Sequence, residues 1–310
     1  MKIYNGITEL VGKTPILKLN NLIRELNLKA NLMVKLEYFN PAGSVKDRVA
    51  LYMIEQAEKQ GLITNGATII EPTSGNTGIG IAMVSASKGY KAVIVMPDNM
   101  SVERVKLIRG YGATVILTNG ALGMKGAIEK AEQIKRETPN SIILGQFDNP
   151  LNPTAHYETT AREIYNDTDN DLDIFVAGIG TGGTISGVAK YLKEQNKNIK
   201  IIGVEPKSSP LITKGVSGVH KIQGIGANFI PKNLNLELID EVVPVTNENA
   251  LETARLLARL EGVLCGISSG ASLYAGILES KKPENSDKNI IVLLPDTGER
   301  YISTELFSKE

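Results

Sequence analysis

The sequence predicts an α/β protein built on mainly parallel sheets, and two observations carry that prediction. Strand-like and helix-like runs alternate almost from end to end, the pattern of helices layered on parallel strands. The strand-like runs are apolar on both faces, as in Ala92-Val93-Ile94-Val95-Met96. That is expected where helices cover both sides of a sheet. Strands are expected over 31–36, 68–72, 91–97, 114–118, 141–145, 173–178, 200–205 and 289–295. Helices are expected over 45–60, 76–88, 101–110, 123–137, 153–166, 182–196, 247–261 and 269–280. The most irregular stretch, 207–235, is rich in Gly, Ser and Pro. A loop of that length inside a compact domain is usually functional or mobile.

Composition narrows the function classes. The chain has 310 residues, 42% hydrophobic and 22% charged, within the range of ordinary globular proteins. Lys+Arg and Asp+Glu are both 34, so nothing favours nucleic acid or another polyanion as a partner. The N-terminus lacks a signal-peptide layout and no apolar run is long enough to span a bilayer, so a cytoplasmic protein with no membrane partner is expected. The single cysteine, Cys265, excludes an internal disulfide and reads as a buried structural thiol. The two histidines, His156 and His220, have no cluster of further ligands around them in sequence. No metal site is expected, and both read as polar packing residues.

The most informative segment is Pro41-Ala42-Gly43-Ser44-Val45-Lys46-Asp47-Arg48. Gly43 and Ser44 turn the backbone, and the apolar helical positions Val49, Ala50, Met53, Ile54 and Ala57 follow. Lys46 therefore sits at a helix start, where macrodipole and desolvation both disfavour an ammonium. Such a lysine titrates easily and can attack a carbonyl to give a Schiff base.

Two other segments are strand-loop-helix turns rich in glycine and hydroxyls. Thr73-Ser74-Gly75-Asn76-Thr77-Gly78 follows the run 68–72, and Gly180-Thr181-Gly182-Gly183-Thr184 follows 173–177. Backbone N–H groups at helix starts bind anions. One amine nucleophile and two anion cradles would together serve a cofactor with an aldehyde and a phosphate, and a substrate with a carboxylate.

Lys35-x-Glu37 through Arg48 resembles the pyridoxal-phosphate attachment site of the cysteine synthase and cystathionine β-synthase family. The 73–78 loop, the 180–184 loop and Gly266-Ile267-Ser268-Ser269-Gly270 resemble its other signatures, in the family's order. The likeness runs from Gly12-Lys13-Thr14-Pro15 to Gly298-Glu299-Arg300-Tyr301. It implies fold type II: two doubly wound, mainly parallel sheets with the cofactor between them, like the tryptophan synthase β chain. It also implies a larger cofactor-anchoring domain (1–40 and 150–310) and a smaller mobile one (41–149). Pyridoxal 5′-phosphate is the implied cofactor, held by Lys46, Asn76, Gly180, Thr181, Gly182, Gly183, Thr184 and Ser268. Asn76 resembles the residue that bonds the ring hydroxyl, and Ser268 the one that faces the pyridine nitrogen. A neutral hydroxyl there makes a weaker electron sink than a carboxylate would. Thr73, Ser74, Gly75, Thr77 and Gln146 resemble the grip on the substrate carboxylate. The implied reaction is β-replacement on a serine-type amino acid. The resemblance further implies sulfide or a thiol as co-substrate, Lys46 as the catalytic residue, and a homodimer. A serine acetyltransferase is a candidate partner.

Rival readings of the same residues fail on the whole set. Gly178-x-Gly180-x-x-Gly183 with Glu205 matches a dinucleotide fingerprint, but that leaves the Lys46 and 73–78 motifs unexplained. Gly266-x-Ser268-x-Gly270 matches a hydrolase elbow, but both histidines lie upstream of it. A non-catalytic binding module would not need the lysine.

The substrate pair is less sharply marked. Asn228, also read as a substrate contact, stands where the family's cysteine synthases usually carry glycine and its cystathionine β-synthases aspartate. Gly298-Glu299-Arg300-Tyr301 resembles the former and Asp296 the latter. O-acetylserine with sulfide, giving cysteine and acetate, is the first reading. Replacement or elimination on cysteine or serine, releasing hydrogen sulfide, is the second.

Overall fold

A computed structural model describes residues 3–73, 75–98 and 100–307. In chain order the elements begin β1 (Ile16–Lys18), α1 (Asn20–Glu25), β2 (Asn31–Leu36), α2 (Lys46–Lys59), β3 (Thr68–Pro72), α3 (Asn76–Lys88) and β4 (Lys91–Pro97). Next come α4 (Val102–Gly110), β5 (Thr114–Thr118), α5 (Gly123–Glu137), β6 (Ser141–Ile143), α6 (Leu151–Ala155) and α7 (Arg162–Asp167). Then follow β7 (Ile174–Gly178), α8 (Gly183–Gln195), β8 (Lys200–Pro206), α9 (Leu211–Lys214), β9 (Glu241–Val245), α10 (Asn247–Glu261), α11 (Ile267–Ser280) and β10 (Asn289–Leu294). The chain divides into two units: Met1–Val11 with Asn40–Leu151, and Gly12–Phe39 with Asn152–Glu310.

The first unit holds a four-stranded parallel sheet in the order β5-β4-β3-β6. Every residue of β3 is buried, including the polar Thr68 and Glu71 beside the apolar Ile69, Ile70 and Pro72. Ile54, Ile69, Ile79, Ile94 and Ile108 belong to the core on one side of this sheet; Ile70, Val95, Ala127 and Ala131 form a smaller cluster. The chain order reverses between β3 and β6, so the turns after these two strands flank a topological switch point, where ligands bind in open α/β sheets.

The second unit holds a six-stranded sheet in the order β1-β2-β10-β7-β8-β9. Only β1 runs antiparallel. Its switch point lies between β7 and β10, beside the turn that enters α8. Val34, Val176, Val204 and Val292 join Leu257, Leu273 and Tyr301 in its core.

Both strands absent from the sequence reading, β1 and β9, are sheet edges. β1 is only three residues long, and Pro244 interrupts the β9 run, which an edge strand tolerates. The helix expected over 153–166 is a succession of α6, a π-helical turn at His156–Ala161, and α7. The segments expected at 1–40, 41–149 and 150–310 differ from the observed units chiefly in the first eleven residues. A 3-10 turn at Ile7–Leu10 packs on α3 in the first unit.

Candidate functional site

In the first unit, α2 begins at Lys46, at the end of a loop that the neighbouring side chains build. Gly43, at φ +77°, turns the chain and donates its N–H to Asn40 O at 2.8 Å. The buried Asp47 carboxylate accepts the Ala42 N–H at 2.6 Å, and Ser44 Oγ accepts the Lys46 N–H at 3.2 Å. The lysine's backbone is thereby set before its side chain leaves the helix. Helix α3 passes close by: a Cβ on Gly80 would lie 3.1 Å from the Lys46 carbonyl oxygen and 3.3 Å from Ala50 Cβ. Gly80 thus brings the helix of the 73–78 loop against the start of the lysine helix.

That loop follows β3. Thr73 is buried and donates its N–H to Val95 O at 3.0 Å, and its Oγ1 accepts the Gly75 N–H at 3.3 Å. Asn76 and Thr77 open α3 with Gly75 as the cap. Ser74 lies outside the described residues. The Thr77 hydroxyl donates to Gln146 Oε1 at 2.5 Å, and both residues are buried. The unit thus gathers Lys46, Thr73, Gly75, Asn76, Thr77 and Gln146 around two adjoining helix starts and one switch point.

In the second unit, residues 180–184 enter α8 with Gly182 as its cap at φ +80°. A Cβ on Gly180 would meet Gly224 O at 2.4 Å, and one on Gly183 would meet Asn152 Oδ1 at 2.0 Å. Only glycine allows that closeness. The two threonines are nearly buried and fastened from behind. Thr181 Oγ1 accepts from Asn152 Nδ2 at 3.1 Å, and Thr184 Oγ1 pairs with His156 Nε2 at 3.2 Å. His156 Nδ1 in turn pairs with Thr160 Oγ1 at 2.9 Å. His156 is fully buried, and its π-helical turn is the kind of irregularity that often marks function. Backbone N–H groups and hydroxyls at the start of a thirteen-residue helix form a donor set suited to a phosphate.

Ser268 lies in the first turn of α11, whose cap is Gly266 rather than the serine. A Cβ on Gly224 (φ +99°) would stand 3.3 Å from Ser268 Oγ, so glycine keeps that hydroxyl's surroundings open. Gly266 is required because a Cβ there would meet Asp296 Oδ1 at 2.1 Å, and Tyr301 OH holds Asp296 Oδ2 at 2.7 Å. Burial, and next the charge of Asp296, push the Cys265 thiol up to about 12, so it is an inert packing group. Glu205 does not stand where a ribose would need it: its carboxylate accepts the N–H groups of Ile212 and Thr213 at 2.8 and 3.2 Å.

The 207–235 stretch is tied to the glycine loop, with Gly224 against Gly180 and the Asn235 N–H bonded to Ser186 Oγ at 2.9 Å. Asn228 lies on its exposed side at φ +62°, and its Oδ1 accepts from Ser209 Oγ at 3.1 Å. Sequence reasoning missed Asn152 and Glu71. The available signals were an Asn-Pro pair opening a helix and a lone carboxylate inside an apolar strand.

The model of the family described as "pyridoxal-phosphate dependent enzyme" matches residues 7–296. The chain belongs to that family. It is an enzyme dependent on pyridoxal phosphate, and within the second unit the donor set of 180–184 is of the kind that suits such a group's phosphate. Cysteine synthase from Staphylococcus aureus strain Mu50 is 50% identical over 308 residues, covering 99% of this chain and 98% of that protein. The solved cysteine synthase of Entamoeba histolytica superposes with TM-score 0.96 at 45% identity, over 100% of this chain and 92% of the other. A hydrogen sulfide-producing enzyme from Fusobacterium nucleatum superposes with TM-score 0.93 at 49% identity, over 96% and 100% of the two chains.

Proposed function

We propose that the protein catalyses β-replacement on O-acetylserine with sulfide, giving cysteine and acetate. The observation that carries this reading lies within one unit. The helix that starts at Lys46 packs, through Gly80, against the helix whose first turn holds Asn76 and Thr77. A lysine whose helix starts against the helix of a loop suited to a carboxylate fits chemistry at the α-carbon of an amino acid. The full-length likeness to cysteine synthases supports the choice of substrates.

When bound, pyridoxal phosphate supplies the electron sink. Lys46 holds the cofactor and then takes and returns the substrate's α-proton. Thr73, Ser74, Gly75, Thr77 and Gln146 hold the substrate carboxylate at the start of α3, where the helix dipole adds about 0.3–1 kcal/mol. Residues 180–184 hold the cofactor phosphate and Asn76 its ring hydroxyl. Ser268 would offer the ring nitrogen a neutral hydroxyl, a weaker partner for its charge than a carboxylate. Asn228 contacts the substrate. Cytoplasmic location, a homodimer, closure of the smaller domain and association with a serine acetyltransferase belong to the same reading. Light scattering of the purified protein, alone and with that enzyme, tests the assembly.

A second reading is release of hydrogen sulfide from cysteine. The likeness to the Fusobacterium enzyme favours it. Turnover of O-acetylserine, serine and cysteine, each with product analysis, separates the two: the first reading requires the largest kcat/KM for O-acetylserine with sulfide. Borohydride reduction and peptide mapping must place the label on Lys46. Lys46→Ala is expected to fold and to lose at least about 10³-fold in kcat. A label on another lysine overturns the assignment.

A further inference from the structure

Glu71 is buried near the end of β3, and one turn of backbone engages both its oxygens. The Gly145 N–H donates to Oε2 at 2.9 Å and the Gln146 N–H to Oε1 at 3.1 Å. Strand pairing between β3 and β6 ends at Ile70 opposite Ile143. At the next step the Glu71 side chain takes over the role of the backbone ladder and leads the chain into the turn, with Gly145 at φ +71°. The residue so placed is Gln146, whose Oε1 receives the Thr77 hydroxyl at 2.5 Å.

A buried carboxylate is a costly way to finish a strand. Burial pushes its pKa up to about 7, against the opposing pull of the Gln146, Gly145 and Leu144 amides. An apolar side chain would suit this fully buried strand at no desolvation cost. The backbone of β3 itself cannot reach the two amides once Gly145 leaves extended geometry, whereas a side chain with two acceptors can.

We propose that Glu71 is a positioning residue for the substrate carboxylate. By clamping the Gly145 and Gln146 amides it fixes where the Gln146 amide and the Thr77 hydroxyl meet, and so where the carboxylate sits. This rests on the reading of Thr77 and Gln146 as carboxylate contacts. Glu71 itself touches neither substrate nor cofactor in this scheme. Glutamine at this position keeps the shape but sets an NH₂ against one of the two N–H donors, so the turn must shift.

The test uses the holoenzyme of wild type, Glu71→Gln and Gln146→Ala, with O-acetylserine and sulfide. It measures kcat, both KM values and deuterium uptake in the peptide spanning 144–147. Glu71→Gln is expected to raise KM for O-acetylserine about tenfold, the usual scale for a lost charge-assisted hydrogen bond. It should leave kcat and the sulfide KM within about twofold, since only binding is disturbed. It should also speed deuterium uptake at 144–147. An unchanged KM for O-acetylserine, or a fall in kcat alone, overturns the proposal while a raised KM in Gln146→Ala keeps the carboxylate reading intact. An unchanged KM in Gln146→Ala overturns that reading and the proposal with it. If Glu71→Gln accumulates unfolded, Glu71→Asp carries the same test, because it keeps the charge and withdraws the oxygens by one methylene. A raised O-acetylserine KM supports the proposal, and an unchanged one overturns it.

Discussion

Thr77 and Gln146 stand 69 positions apart in sequence and share a buried hydrogen bond of 2.5 Å, hydroxyl to amide oxygen. The bond decides which end of the Gln146 amide faces Thr77. Thr77→Val keeps the shape and removes the donor, leaving Gln146 Oε1 without it. The expected result is a loss of about 1–3 kcal/mol in stability or in amino-acid binding. Thermal unfolding and the O-acetylserine KM report the two, and Thr77→Ser is expected to restore both.

Gly180→Ala would drive a Cβ, whose position the backbone fixes, to 2.4 Å from the Gly224 backbone oxygen, so no flexible side chain can swing away. The loop must shift. We expect a destabilisation of about 1–3 kcal/mol, typical of overpacking, together with weaker retention of pyridoxal phosphate. Denaturant titration and cofactor content after dialysis measure these effects. Unchanged cofactor content would separate the loop from phosphate binding.

Glu71 titrates at about 7 in the folded protein against an ordinary 4.5, because burial penalises its charge. The native state therefore holds this proton more tightly than the unfolded chain does. Its contribution to stability is present below about pH 4.5 and is lost as pH rises through about 7, on the order of 3 kcal/mol in all. Glu71→Gln has no such proton to lose. Unfolding in urea at several pH values between 5 and 8 is expected to show wild type losing stability with rising pH relative to the variant. Parallel curves would contradict the raised pKa.

Asn228→Gly keeps the left-handed turn at φ +62°, which glycine adopts freely, and removes the amide held by Ser209. If the amide serves the substrate, activity on cysteine or serine falls more than activity on O-acetylserine. Because Asn228 is exposed, the expected differential is about 1 kcal/mol, near fivefold, at the low end for a polar contact. Equal changes in kcat/KM for all three substrates would leave Asn228 only its turn.

The Lys46 segment, the 73–78 loop and the 180–184 loop were legible in sequence because each is contiguous: turn residues, hydroxyls and the apolar helix that follows stand side by side. The central parallel strands were legible for the same reason, their burial on both faces being written as unbroken apolar runs. Edge strands β1 and β9 were not, since a three-residue pairing and a strand containing Pro244 draw their stability from a neighbour rather than from their own composition. The π-helical turn at His156–Ala161 was hidden because its buried positions, His156, Thr160 and Ala161, are spaced as an ordinary helix also allows.

The sequence by itself determined the α/β class, a lysine at the start of a helix and two glycine- and hydroxyl-rich loops at strand-helix turns, since local propensity and short motifs specify these. Only the tertiary structure decided what stands behind them. Asn152 and His156 fasten Thr181 and Thr184, Gly80 seats one helix against the Lys46 backbone, and Glu71 holds the turn that carries Gln146. These contacts join residues 28 to 75 positions apart. Their energy comes from desolvated donors and acceptors finding each other once the sheets have formed, and no local pattern of residue types encodes such a meeting.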